Sequence, residues 1–200
     1  MIEETVAALH QNKVILYPTD TVWGIGGDAT NAEVVKKIYK LKQREDHKAL
    51  IVLVDSIEML KSCVENIPEQ ALYFINSEQP TTLIYPKGIG FAPNLLGTDS
   101  SIGIRIPNEP FCQKLISRFG KPIISTSANI SGSQTPQSFA DISSEILDGV
   151  DYIVPLKKEI NSKKPSRVIK IDSKGEIQIL RQLNHTMIFL NCSMMNFFRF

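Results

Sequence analysis

The chain has 200 residues, of which 42% are hydrophobic, 8% aromatic and 22% charged. These are globular proportions, and they exclude disordered, collagen-like and coiled-coil classes. Lys and Arg number 22 against 21 Asp and Glu, a net charge of +1, which also excludes a protein that coats nucleic acid by bulk charge alone.

Taken in chain order, residues 3–11 predict a short helix with Val6 and Leu9 on its apolar face. Lys13 to Tyr17 reads as a buried strand stopped by Pro18, and 18–29 (PTDTVWGIGGDA) as a loop. Thr30 to Glu33 carries a capping-box pattern, with Val34, Ile38 and Leu41 following at helical spacing. A strand is expected over 49–54, helices over 56–63 and 68–78, and a strand over 81–85. The Gly- and Pro-rich stretch 86–99 reads as loop, 101–106 as a strand and 109–119 as a helix. A short strand at 122–125 leads into a Ser/Thr/Asn/Gly loop, 125–136. A helix at 138–147, a strand at 152–154, a basic connection at 156–165 and strands at 167–171 and 177–181 complete the pattern. Asp172 to Gly175 is the turn between the last two strands. Without strict βα alternation, the pattern predicts one α/β domain with a mixed sheet.

Cys63, Cys112 and Cys192 are far apart and form no CxxC pair. They read as small buried hydrophobes carrying free thiols in a reducing compartment. Met1-Ile2-Glu3-Glu4 has acids where a signal peptide has a basic segment, and no apolar run nears the ~20 residues that span a bilayer. A cytoplasmic protein without a membrane segment is expected. The apolar stretch 186–200 reads as a packed or partner-contacting tail, or as a frayed end.

Three segments concentrate polar chemistry. In PTDTVWGIGG, Gly24, Gly26 and Gly27 permit close backbone approach, although neither a dinucleotide nor a Walker pattern is present. Lys40, Lys42, Arg44 and Lys48 gather charge at a helix exit, where they also complement the helix dipole. Lys-x-Arg in extended chain points both side chains to one face, suited to a polyphosphate. Ser125 to Gly132 supplies hydroxyls and an amide for a phosphate, a ribose or a carboxylate. No GxSxG elbow accompanies these serines, so they read as binding groups and not as nucleophiles. His10, His47 and His185 are isolated, and no metal cluster is expected; Mg²⁺ would enter on a nucleotide.

In this order, PTDTVWGIG at 18–26, KQR at 42–44, STSANISG at 125–132 and Lys164-Pro165-Ser166 resemble the YrdC/Sua5 family of threonylcarbamoyl-AMP synthases. The resemblance runs from about residue 10 to residue 182, in the short single-domain form, and leaves 183–200 as a tail of unknown role. It implies an α/β fold, a twisted mixed sheet with flanking helices around a large basic cavity. It implies a nucleotidyltransferase that makes threonylcarbamoyl-AMP and pyrophosphate from L-threonine, bicarbonate and ATP. The product would pass to a separate threonylcarbamoyl-transferase complex for the t6A modification of tRNA. Lys42, Arg44, Ser127 and Asn129 match the paired KxR…SxN signature and are carried over as catalytic. Thr21, Arg105, Ser125 and Ser166 match threonine-holding positions. Arg44, Lys48, Ser101, Ser127, Thr135 and Arg181 match positions around ATP. Thr82 stands in the family's Pro-x-Thr. Two departures, Ser77-Glu78-Gln79 for Trp-Pro-Gly and Lys48-Ala49-Leu50 for Lys-Pro-Leu, are expected on the cavity wall.

The mechanism implied needs positioning and charge neutralisation more than a nucleophile. Asp20 is a candidate proton acceptor and equally a turn aspartate. Two other readings remain at this level. One is a tRNA- or double-stranded-RNA-binding or ribosome-maturation module, although Trp23 and Tyr39 form no interleaved stacking set. The other is a regulatory nucleotide- or amino-acid-binding domain without turnover. The near-neutral total hides two basic segments: residues 36–48 carry +4 and residues 155–185 carry +5, against −8 for the remainder. A focused polyanion site requires the fold to bring them together.

Overall fold

The computed structural model describes residues 1–44, 50–156 and 165–182. In chain order the elements are α1 (Ile2–His10), β1 (Ile15–Pro18), β2 (Trp23–Asp28), α2 (Ala32–Leu41), β3 (Ile51–Leu53), α3 (Ile57–Cys63), α4 (Glu69–Ile75) and β4 (Thr81–Tyr85). There follow β5 (Ile102–Arg105), α5 (Pro110–Phe119), β6 (Ile123–Ser127), α6 (Ser144–Gly149), β7 (Tyr152–Ile153), β8 (Arg167–Ile171) and β9 (Ile177–Arg181). The strands form one twisted sheet in the order β7-β1-β2-β6-β3-β5-β4-β8-β9. It is mixed, as expected: β1–β7, β3–β5 and β4–β8 are parallel and the other pairs antiparallel.

Strand alternation sorts the core into two clusters, one for each face of the sheet. Leu16, Ile25, Val52, Leu83, Ile104, Ile124 and Ile169 pack with Ile38 of α2, Leu60 of α3, Ala71 of α4 and Ile146 of α6. Ile15, Tyr17, Leu53 and Ile123 pack on the opposite face against Leu9 of α1 and Leu115 of α5. The first face is covered by α2, α3, α4 and α6 as far as β8. Among the described residues the second is covered only where α1 and α5 lie, and the rest forms the floor of a cavity.

Several local expectations are corrected. The loop expected over 18–29 contains β2, paired on both sides by β1 and β6. Its alternation is hidden because Trp23 and Ile25 fill the core face while glycines occupy the other. A Cβ on Gly26 would lie 2.4 Å from the Ile124 carbonyl oxygen, and one on Gly27 2.4 Å from Val34 Cγ1. What these two glycines approach is the chain's own packing, not a ligand. The helix cap is Asn31, whose side chain accepts from the amides of Glu33 and Val34 at 2.9 and 3.3 Å. Thr30 is unavailable because Asp28 Oδ1 takes both its amide (2.8 Å) and its hydroxyl (2.6 Å). The single helix expected over 138–147 is split. Asp141 turns back onto Ser138 to close a 3-10 turn at Phe139–Asp141, and α6 starts afresh at Ser144. The 172–175 turn forms as read, with Gly175 at φ +82°.

Candidate active site

The uncovered part of the second face is the floor of a cavity of about 330 Å³. Ile51 of β3, Ile84 of β4, Gly103 of β5 and Gly24 of β2 line it, and loops form its rim. Thr21, Arg105, Ser125 and Ser166, the residues expected around threonine, all reach its wall. So do Arg44, Ser101, Ser127, Thr135 and Arg181 of the set expected around ATP. Lys48 lies outside the described residues, as do His47, His185, Lys164, Cys192 and the 183–200 segment.

Each group is held by its local structure. Thr19 Oγ1 accepts from the amides of Thr21 and Val22 at 3.1 and 3.2 Å, which tightens the β1–β2 turn. That turn places Thr21 Oγ1 3.0 Å from Thr19 Oγ1 and 3.5 Å from Arg105 Nη2. Arg105, at the end of β5, makes a buried ion pair with Asp20, whose other carboxylate oxygen accepts from the Asn108 amide at 3.1 Å. Both Asp20 oxygens are therefore engaged, and Asp20 does not line this cavity; its place is that of a support for Arg105. Arg105 Nε is buried without a protein partner.

At the opposite wall, Ser166 Oγ lies 2.9 Å from Thr82 Oγ1. The Ser166 carbonyl accepts the Arg181 fork, Nε at 3.1 Å and Nη2 at 2.9 Å. Burial lowers the Arg181 pKa, but its ordinary value is high enough that it remains a cation at neutral pH. Asp99 Oδ1 accepts from the Ser101 amide at 3.1 Å. Hydrogen bonds from Ser101, side chain first, hold the Asp99 carboxyl down to about 2.

The KxR…SxN signature divides into two tasks. Arg44 and Ser127 face the cavity. Lys42 and Asn129, expected to be catalytic, are outside its wall and fasten the loop after β6. The Lys42 ammonium donates to the carbonyls of Ser127 (2.5 Å) and Asn129 (2.6 Å), and its own carbonyl accepts from the Ser131 amide at 2.8 Å. Asn129 Nδ2 donates to the carbonyls of Ile130 (2.9 Å) and Ser133 (2.8 Å). Burial, and after it the Arg44 guanidinium, lowers the Lys42 pKa from 10.5 to about 7.

A second cavity of about 230 Å³ lies beyond Arg105, between α4 and the segment 104–108. Ser77, Glu78 and Gln79 line it, so that departure falls here and not on the wall of the larger cavity. Leu50, from the other departure, does line the larger one. Thr19 and Pro165, which lie within the PTDT and Lys164-Pro165-Ser166 motifs but carried no assigned role, also line the larger cavity.

The two basic segments meet as the charge distribution required: Arg44 comes from one and Arg181 from the other, and both line the same cavity. Among the described residues, no group of three or more His, Cys, Asp or Glu side chains could hold a metal ion, and no helix is long and apolar enough to cross a membrane.

Comparison with known proteins agrees with this geometry. The profile of the Sua5/YciO/YrdC family, described as Telomere recombination, matches residues 7–182. Threonylcarbamoyl-AMP synthase of Vibrio parahaemolyticus is 35% identical over 185 residues, 90% of this chain and 97% of that one. The crystal structure of P. abyssi Sua5 complexed with L-threonine is similar at TM-score 0.73 and 27% identity, covering 85% of this chain and 50% of that one. This chain thus spans about half the length of that protein. The crystal structure of E. coli YciO is similar at TM-score 0.78 and 25% identity, covering 90% of this chain and 88% of that one. From its fold, its cavity and these relatives, the chain belongs to the Sua5/YciO/YrdC family.

Proposed function

We propose that this protein is an L-threonylcarbamoyladenylate synthase, a nucleotidyltransferase acting on L-threonine, bicarbonate and ATP. The observation that carries this reading is the convergence of Arg44, Arg105 and Arg181 with the hydroxyls of Thr21, Ser125, Ser127 and Thr135 on one cavity. Relatives named threonylcarbamoyl-AMP synthase support it, as does the threonine complex of P. abyssi Sua5.

In the proposed reaction the threonine amine attacks the bicarbonate carbon, water departs, and a carbamate results. A carbamate oxygen then attacks the α-phosphorus of ATP, the bond to the β-phosphate oxygen breaks, and pyrophosphate leaves. Thr21, Arg105, Ser125 and Ser166 hold threonine, with the Arg105 guanidinium on its carboxylate. Arg44, Lys48, Ser101, Ser127, Thr135 and Arg181 surround ATP, the cations taking up charge on the phosphates. Lys42 and Asn129 act as positioning residues for Ser127. Mg²⁺ would be held chiefly by the nucleotide's phosphate oxygens, whose charge it would neutralise, since the described cavity wall offers hydroxyls and arginines and no carboxylate. The product is destined for a threonylcarbamoyl-transferase complex acting on tRNA.

The test is pyrophosphate release from ATP, with threonine and bicarbonate each omitted in turn. Release that requires both supports the reading. Release with another amino acid and not with threonine would replace the substrate. No release, beside tight and steeply salt-dependent tRNA binding, would overturn it in favour of an RNA-binding module.

A further inference from the structure

Among the described residues the strands contain four glycines: Gly24, Gly26 and Gly27 of β2 and Gly103 of β5. A glycine inside a strand lowers stability, and it marks either a close approach of the chain to itself or room kept for a ligand. Packing accounts for three of the four. A Cβ on Gly26 or Gly27 would come within 2.4 Å of a neighbouring atom. One on Gly103 would lie 3.3 Å from both Ile51 Cγ2 and Thr82 Cγ2, closer than carbon atoms ordinarily pack.

Gly24 differs. Its φ lies outside the left-handed region. A Cβ there would meet nothing nearer than Thr19 Cγ2 at 3.4 Å, with Ser125 Oγ and Tyr17 Cε1 at 3.5 Å. Those are ordinary van der Waals separations, so the fold accepts an alanine at this position and does not account for the glycine. Gly24 lines the larger cavity, and its missing side chain leaves room there.

The surroundings show what that room suits. Thr19 Oγ1 is occupied within the β1–β2 turn, where it accepts from two amides and donates to the Val22 carbonyl at 2.8 Å. Its methyl is the part that meets the Gly24 position. The Tyr17 hydroxyl donates to the Ile124 carbonyl at 3.3 Å, and a ring carbon meets the same position. Two of the three nearest atoms are therefore carbon, and the third is the Ser125 hydroxyl oxygen. An apolar spot beside a hydroxyl matches a substrate side chain that carries a methyl and a hydroxyl on one carbon.

We propose that Gly24 is a specificity-determining residue for the amino-acid substrate, its bare Cα receiving the methyl group of threonine. This rests on the threonine-binding role proposed above for Thr21 and Ser125. In the ladder Gly24 pairs with Ser127, of the nucleotide set, so the competing occupant of the room is ATP.

Gly24→Ala puts a methyl where the substrate's methyl would lie, and a difference of one such group shifts selectivity by about 10- to 200-fold. Pyrophosphate release and thermal unfolding of wild type, Gly24→Ala and Gly26→Ala test the proposal, with serine, which lacks the methyl, as a competitor of threonine. In Gly24→Ala, KM for threonine is expected to rise about tenfold or more, while KM for ATP and the inhibition constant of serine stay near those of wild type. Its unfolding midpoint is expected to equal or exceed that of wild type, whereas Gly26→Ala lowers it. Unchanged KM for threonine would overturn the proposal. So would a rise in KM for ATP alone, which would give the room to the nucleotide. A serine constant that worsens as much as threonine's, or that is beyond measurement with both proteins, would overturn the assignment to the methyl. A midpoint lowered as in Gly26→Ala would show that the fold itself needs the glycine, and would overturn the proposal too. Wild-type pyrophosphate release that does not need threonine would instead overturn the threonine-binding reading, and this proposal with it.

Discussion

Replacing Lys42 with Met keeps the buried aliphatic stem and removes the ammonium. The side chain is almost wholly buried and serves two carbonyl oxygens, those of Ser127 and Asn129. The Ser127 carbonyl keeps the Asn129 amide at 2.9 Å, whereas the Asn129 carbonyl loses the Lys42 donor, so the variant should lose about 1–3 kcal/mol of a typical domain's stability of about 5–15 kcal/mol. Loosening the loop displaces Ser127 from the cavity wall, so KM for ATP should rise. The pH dependence has a definite sign. The unfolded chain keeps the Lys42 proton up to its ordinary pKa of 10.5, and the folded chain releases it near 7. Between those values the unfolded state binds more protons, so wild type gains stability relative to Lys42→Met as pH rises. Urea unfolding of both proteins at pH 6 and pH 9, with pyrophosphate release kinetics, measures all three effects. A Lys42→Met protein within about 0.5 kcal/mol of wild type, with unchanged KM, would refute the positioning role.

Asp20→Asn leaves the buried Arg105 guanidinium without its counter-charge, and should destabilise the fold by about 3–5 kcal/mol in urea unfolding and raise KM for threonine. Arg181→Ala should raise KM for ATP by roughly tenfold in pyrophosphate release, about 1.4 kcal/mol of binding, and leave KM for threonine unchanged. Gly26→Ala drives a methyl into the Ile124 carbonyl and the Tyr17 ring, and a loss of about 1–3 kcal/mol is expected in thermal or urea unfolding.

Where one periodicity dominates, local pattern was enough. The apolar face of α2 and the strands β4, β8 and β9 lie within a residue or so of their expected bounds. α5 was equally legible, with Glu109 capping its start and Gly120 at φ +73° ending it. β2 was not, because Gly24 and Gly26 alternate with Trp23 and Ile25, and a strand with glycine on alternate positions looks like a loop until β1 and β6 are seen on either side. The capping box failed for a related reason: Thr30 fits the pattern, but Asp28, itself paired with Lys121 at 2.8 Å, claims its hydroxyl.

Sequence by itself determined the fold class, the two basic segments and the KxR…SxN pair with its implied chemistry. It could not say which members of the pair face a ligand. Side-chain direction at 42–44 and 127–129 depends on how α2 ends against β6, contacts between residues far apart in the chain. Tertiary structure decided that Lys42 turns inward to two carbonyls while Arg44 turns to the cavity. It also decided that Arg181, on the last strand, shares that cavity with Arg44. Helix and strand periods are local properties of the chain. A site assembled on one face of the sheet, from strands as far apart in it as β2 and β9, exists only once the strand order is set, and strand order follows from burial summed over the whole molecule.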